Sequence, residues 1–411
     1  MSEAQQAAHD AAALAARTAY GRLVAYLAAR WRDVAAAEDA LGDALVAALE
    51  TWPRDGVPDK PEAWLFTAAR RRLLDAARRA GVRADSAADL RMIMDDTDGA
   101  GDSTYPDERL KLLFVCAHPA IDETVRTPLM LQTVLGLDAA RIAAAFLVAP
   151  AAMGQRLVRA KAKIRDAGIR FEVPEHRELP PRLEAVLEAI YAAYGTAWED
   201  VAGADPRRRG LADETIWLGR LVTRLLPDEP EALGLLALML HCEARRAARR
   251  DADGRYVALA EQDVARWSRA AIEEAEQLLA RAAEAGAPGR FQLEAAIQSV
   301  HAQRAASGRT DWDAIALLYE GLIRIAPTIG ARVGQAAALG EAGGPGAGLR
   351  ALDAIPADAV VAYQPYWALR AHLLARTGRP DEARASYARA IGLSEEPAVR
   401  AFLAARSAAV P

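Results

Sequence analysis

Apolar positions recur every three or four residues along almost the whole chain, the period of amphipathic helices. Residues 7 to 50 read as helix with few breakers. Leu14, Tyr20, Leu23, Val24 and Leu27 share one stripe, and a second run goes from Glu38 through Leu41, Leu45, Val46 and Leu49. The three prolines and one glycine between Trp52 and Pro61 predict a loop. A long helix is expected from Glu62 to Arg79, stopped by Gly81. Residues 83 to 107 read as a linker, with six acidic and no basic residues between Asp95 and Glu108. Helices are then predicted over Asp107 to Cys116, Asp122 to Leu135, Asp138 to Phe146 and Pro150 to Ala167. Pro150 suits the first turn, where its missing N–H costs little. Three prolines between Glu172 and Pro181 separate this half from the rest. From Arg182 onward, breaks at Gly203 to Pro206, Pro227 to Pro230, Gly286 to Gly289, Gly308, Pro327, Gly343 to Gly346, Pro356 and Gly378 space the helices as pairs.

Composition supports an all-α reading. Hydrophobic residues make up 52% and charged residues 26%, which excludes wholesale disorder. Only 6% are aromatic, and Ala, Leu, Arg and Glu dominate, so a mostly β fold is not expected. The 411 residues suggest two or three domains. Two cysteines, Cys116 and Cys242, make no disulfide framework, and a reducing cytoplasm is expected. The longest uncharged apolar run, Ile142 to Met153, is too short to cross a bilayer. The N-terminus has no apolar signal core, so neither export nor membrane embedding is expected.

A net charge of −5 argues against blanket nucleic-acid affinity. All four lysines, at 60, 111, 161 and 163, lie in the first 163 residues, together with two Arg-rich stretches. That asymmetry points to targeted rather than general DNA contact.

The run from Leu137 to Lys161 has the form of a helix-turn-helix. Ile142, Ala143 and Phe146 are expected to face Met153 and Leu157, and small residues allow close helix approach. The second helix would then present Gln155, Arg156, Arg159, Lys161 and Lys163 on its polar surface. Arg and Gln can read purine edges bidentately in the major groove, each pair adding about 1–3 kcal/mol of discrimination. A helical hairpin with a solvated basic face is the plainer alternative. In the second basic stretch, Arg70, Arg71, Arg72, Arg78 and Arg79 are spaced for phosphate neutralisation, with Leu73, Leu74, Ala76 and Ala77 packing inward.

Taken in order, these elements resemble a bacterial RNA polymerase sigma factor of the extracytoplasmic-function (ECF) type over residues 10–170. Ala37 to Leu45 is similar to region 2.2, Pro61 to Asp75 to regions 2.3 and 2.4, and Leu137 to Ile164 to region 4. The resemblance implies domains at 1–82 (region 2), 83–106 (acidic linker) and 107–171 (region 4). It implies that Glu38, Asp39, Asp43 and Leu45 bind the polymerase core. It assigns −10 contacts to Trp64, Arg70, Arg71, Arg72, Arg78 and Arg79, with Trp52 and Trp64 as possible stacking or core rings. It assigns −35 contacts to Ala151, Ala152, Gln155, Arg156, Arg159, Lys161 and Lys163. The implied partners are the RNA polymerase core, through its β′ clamp helices and β flap, and promoter DNA. No cofactor, metal or membrane partner is expected. The sequence departs from the usual pattern in Gly42 for Gln, Arg71 for Asn, Leu147 for the turn glycine, and Gly154 inside the second helix.

Asp107 to Ala120 resembles the subgroup with a long C-terminal extension that accompanies small DGPF (YCII-related) proteins, with Ala117 breaking the usual Cys-Cys-His-Pro. Cys116 and His118 alone make a poor metal site and read as a buried thiol and a helix-end histidine. In the extension, Gln364 to Pro397 is similar to a tetratricopeptide unit, with Trp367, Leu374, Gly378, Asp381, Glu382, Ala383, Tyr387 and Ala390 at the expected offsets. Weaker pairs span Glu294 to Pro327, Ile329 to Ile355 and Pro230 to Arg281, giving one helical domain over 180–411. Such surfaces bind proteins or act as intramolecular braces. His241, Cys242 and Glu243 are consecutive, so their side chains diverge around a helix and form no site. No catalytic constellation is found, and an enzyme is not expected.

The expected function is an alternative sigma factor whose activity is modulated by its helical extension. The alternatives are a polymerase-independent helix-turn-helix regulator with a repeat sensor, and a repeat scaffold whose basic helices do no DNA work.

Overall fold

The computed structural model describes residues 3–79, 107–146, 148–175, 177–198 and 206–411. The acidic linker at 83–106, Gly81 and Leu147 lie outside the described residues. Among those described, the fold is all-α and contains no strand, only an isolated bridge between Arg250 and Tyr256. The chain divides into two compact units, Met1–Ala193 and Tyr194–Pro411.

The first unit opens with α1 (Glu3–Trp31) and α2 (Val34–Asp55). The single long helix expected over 7–50 is broken at Arg32, whose φ of 54° turns the chain. Asp33 then caps α2 by accepting from Ala36 N at 3.0 Å. Helix α2 also runs further than expected. Trp52 is buried and holds the last turn, with Pro53 inside the helix and Gly56 closing it at φ 87°. Helix α3 (Pro61–Arg79) packs against both, and Arg22 pairs with Glu62 across them.

Four helices follow: α4 (Arg109–Cys116), α5 (Glu123–Leu135), α6 (Ala139–Ala145) and α7 (Pro150–Asp166). Asp122 caps α5, and Gly136 ends it in the left-handed conformation. Helix α8 (Leu179–Trp198) contributes its first part to this unit. Thr127 donates to Ala189 O at 2.6 Å, and Arg182 to Phe114 O at 2.8 Å. The boundary thus falls at 193/194, inside α8, rather than in the proline-rich stretch at 172–181. The helices expected as two separate domains, 1–82 and 107–171, share this one unit and one core. Leu23, Leu27, Leu41 and Leu65 are fully buried, as are Phe114, Leu129, Ile142 and Met153.

The second unit runs through α9 (Pro206–Leu225), α10 (Pro230–Ala244), α11 (Arg269–Ala283), α12 (Arg290–Ala302), α13 (Arg304–Ser307), α14 (Trp312–Ile325), α15 (Ile329–Ala342), α16 (Pro345–Asp353), α17 (Gln364–Arg376), α18 (Pro380–Leu393) and α19 (Pro397–Ala408). Helix α10 is apolar all round, and every residue from Ala232 to His241 is buried, as such a helix requires. Its Glu231 accepts from Phe291 N and Gln292 N at 2.9 and 3.2 Å, so one carboxylate satisfies the start of α12. Beyond it, neighbouring helices pair in sequence. In α17–α18, Gly378 turns the chain at φ 72°, while Leu374, Ala383, Tyr387 and Ala390 are buried between the helices.

Candidate nucleic-acid and polymerase interface

Helix α7 is amphipathic because Met153, Leu157, Ala160 and Ile164 recur at spacings of four and three and are all buried. They lie against α6, where Ile142 and Ala143 are buried, and Phe146 is half-buried at the turn. The opposite surface exposes Ala151, Gln155, Arg159 and Lys163, with Ala152 and Arg156 half-buried. Arg156, Arg159 and Lys163 line one side of a cleft of about 400 Å³, and Asp122 and Thr124, at the start of α5, line the other. Three cations along one cleft beside a helix N-terminus make a surface suited to phosphate oxygens.

Lys161 does not belong to that surface. It lies four residues after Leu157 and three before Ile164, which turns it to the inward edge of the helix. Its side chain is 11% exposed, and its Nζ donates to Glu38 Oε2 at 2.6 Å and to Gln132 Oε1 at 3.0 Å. Glu38 is correspondingly 9% exposed, so its carboxylate faces inward rather than toward a partner. Burial pushes the Glu38 carboxyl above the usual range, and Lys161 offsets this only in part. The Tyr20 phenol beside it is raised, first by burial and then by the Glu38 charge. Neither Tyr20 nor Gln132 was singled out as functional from sequence, since only the fold brings them together.

The remaining α2 candidates face outward. Asp39 and Asp43 are exposed and Leu45 is half-buried. Between them the structure adds residues that periodicity assigned to a core stripe: Val46 is 55% exposed and Leu49 43%. With Gly42, which has open space beside it, they form an acidic and apolar strip along α2.

On α3, Trp64 meets the buried Trp52 edge-on at 5.5 Å, so Trp52 is a core ring and Trp64 is half-covered by it. Arg72 donates to Asp43 at 2.9 Å, joining a −10 candidate to a polymerase candidate. Arg78 pairs with Asp75 at 3.4 Å, and Arg79 donates to Asp75 O at 3.2 Å. Arg71 is exposed and Arg70 half-buried. Leu73 packs inward as expected, whereas Ala76 is exposed.

Cys116 is fully buried, 3.5 Å from Thr133 Oγ1, and burial raises its thiol to about 12. His118 accepts from Ala120 N at 3.1 Å at the end of α4. Among the described residues, no group of three or more His, Cys, Asp or Glu is placed to hold a metal ion. No helix among them is long and apolar enough to cross a membrane.

Comparison with known proteins bears on the first three helices. Residues 17–83 match sigma-70 region 2, which supports a sigma-70 family sigma factor with a role in transcription initiation. Region 2 implies interaction with core RNA polymerase and promoter DNA, and the proteins of that family are non-enzymatic transcription factors. Residues 182–283 match a family of unknown function, DUF6596. The chain as a whole belongs to the same family as an uncharacterized protein of Rhizobium meliloti (strain 1021), 38% identical over 401 residues, which span 96% of this chain and 94% of that protein. No solved structure matches it.

Proposed function

We propose that the protein is an alternative sigma factor of the ECF type that binds core polymerase through α2, engages the −10 element through α3 and reads the −35 element through α7. The match of residues 17–83 to sigma-70 region 2 carries this reading. The exposed Gln155, Arg159 and Lys163, with the half-buried Arg156, on a two-helix unit downstream support the −35 assignment. For core binding, Asp39, Asp43, Leu45, Val46 and Leu49 supply an acidic and apolar docking strip, of the kind that buries an anchor within a polar rim. The helical extension of the second unit modulates this activity, with tetratricopeptide-like pairs as its binding surface.

Run-off transcription from the region upstream of the protein's own coding sequence, with purified core polymerase, tests the reading. Transcripts are expected only when the chain is added. Arg156→Ala with Arg159→Ala is expected to reduce them at least tenfold, since each lost base pairing costs about 1–3 kcal/mol. Specific binding to the same DNA without polymerase, and no transcripts with it, would instead establish a stand-alone regulator.

A further inference from the structure

We propose that Arg245, His301 and Arg304 form an anion site in the second unit that takes a phosphate group, free or as the monoester of a small molecule. The site stands on the second unit alone and is independent of the sigma reading.

Helical spacing brings the three residues together. Gln298 and His301 lie about one turn apart on α12, and Arg304 follows three residues later, where the chain runs on into α13. Arg245, just past the end of α10, is pinned to the start of this row. Its Nη2 donates to Gln298 Oε1 at 2.6 Å and stands 3.7 Å from Cys242 Sγ. Arg304 lies at the other end, its Cζ 5.0 Å from the centre of the Trp267 ring. Its Nη1 and Nη2 donate to Ala260 O and Gln262 O, both at 2.8 Å. Arg245, Gln298, His301 and Arg304 are all half-buried, so part of each faces solvent.

The hydrogen bonds of both arginines therefore go to neutral groups. The acidic residues of the same helices are engaged elsewhere. Glu231 accepts from the start of α12, Glu243 from Arg246 Nε at 2.6 Å, and Glu294 from Arg290 Nε at 2.9 Å. On the loop that carries Ala260 and Gln262, Glu261 pairs with Arg406, and Asp263 Oδ1 accepts from Ala265 N at 2.9 Å. Two positive charges thus stand without a carboxylate in a partly buried place, where an unpaired charge is strongly unfavourable. Donors are left over as well. Arg245 Nε is buried without a hydrogen-bond partner, as is the indole Nε1 of Trp267 beside Arg304. Burial and then the Arg245 charge hold the Arg304 guanidinium below its ordinary value. Burial, with both arginines, depresses His301 to about 4. A bound anion would relieve the repulsion and satisfy the donors together.

Charge and shape select phosphate. Two cations match a dianion. Donors supplied from α10, α12 and α13 suit tetrahedral oxygens better than a single planar carboxylate does. A guanidinium carries five N–H donors, so each arginine keeps several for a ligand beyond the bonds it makes to the chain. Their fork geometry is the one that holds phosphate oxygens in pairs.

The test is calorimetric titration of the full chain in chloride buffer with inorganic phosphate, glycerol phosphate and malonate, with thermal melts in parallel. The parent is expected to bind inorganic phosphate or the ester saturably and to melt higher as it is added. Tighter binding of inorganic phosphate identifies the free ion, and tighter binding of the ester a small-molecule monoester. Arg245→Gln should weaken binding about tenfold or more by removing charge-assisted hydrogen bonds. Arg304→Lys, which keeps the charge and loses the fork, should weaken it about tenfold. Arg400→Ala, which removes an exposed charge from α19, should leave it unchanged. The melt without ligand separates binding from bracing. Arg245→Gln should melt no lower than the parent in chloride, because it removes an unpaired cation, whereas loss of a brace would lower the melt. Absence of saturable binding to the parent, malonate bound as tightly as phosphate, a lowered unliganded melt, or parent-like affinity in Arg245→Gln would overturn the site. If Arg245→Gln fails to fold, Arg304→Lys decides, and parent-like affinity there also overturns it.

Discussion

Gly21 and Gly154 both interrupt good helical sequence, and they answer to substitution in opposite ways. Nothing lies within 4 Å of a methyl group built on Gly154, in the middle of α7. Gly154→Ala is expected to stabilise the first unit by up to about 1 kcal/mol, read as a higher melting temperature. Gly21→Ala puts a methyl group into backbone rather than into a movable side chain, so the helices must separate. Overpacking of that kind costs about 1–3 kcal/mol or more, and a lowered melting temperature checks it. Both glycines look alike in the sequence. What distinguishes them is the Val134 carbonyl, which is distant in sequence.

At the scale of elements, most of the architecture could be read from the chain. Helices α3, α5, α6 and α7 begin and end within two residues of their expected limits, because Asp122, Gly136 and Pro150 are strong local punctuation. The failures share one cause. Periodicity says which residues lie on one face, but not which face is covered. Leu14, Val46 and Leu49 sit on apolar stripes yet are exposed, and Lys161 sits on a basic helix yet is covered. The break at Arg32 was hidden by the alanines around it. The extent of α2 was hidden by Pro53, which the last turn tolerates around a buried Trp52.

The proline-rich stretch before α8 looks like a domain boundary and is not one. Leu183, Val186, Leu187 and Ile190 are buried, and Ala189 O accepts from Thr127. A fragment ending at residue 175 is therefore expected to unfold at lower denaturant than one ending at 198. The difference should be several kcal/mol, because each lost large side chain removes about 1.5–3 kcal/mol of burial. Urea titrations of the two fragments followed by circular dichroism check this, and the longer fragment is the one to use when the extension is removed for transcription.

At the scale of the whole molecule, two histidines of the second unit link stability to acid. Burial, with Arg245 nearby, depresses His241 and His301 from 6.5 to about 4. The unfolded chain then binds protons that the folded unit refuses between pH 6.5 and 4. Stability contributed by keeping these rings neutral is present above pH 6.5 and is lost as pH falls toward 4, by up to about 3 kcal/mol for each. The unfolding free energy should decline across that window, and His241→Gln or His301→Gln should flatten the slope.

The burial of Lys161 also sets a chemical clock. Its neighbour two positions on, Lys163, is exposed on the same helix. An acylating reagent in the solvent reaches Lys163 at all times, and Lys161 only during excursions from the packed arrangement. The ratio of the two modification rates is thus a running count of those excursions, with its control built into the same peptide. Each hit on Lys161 is also irreversible. An acylated amine carries no charge to pair with Glu38, so each modification leaves that carboxylate without its cation.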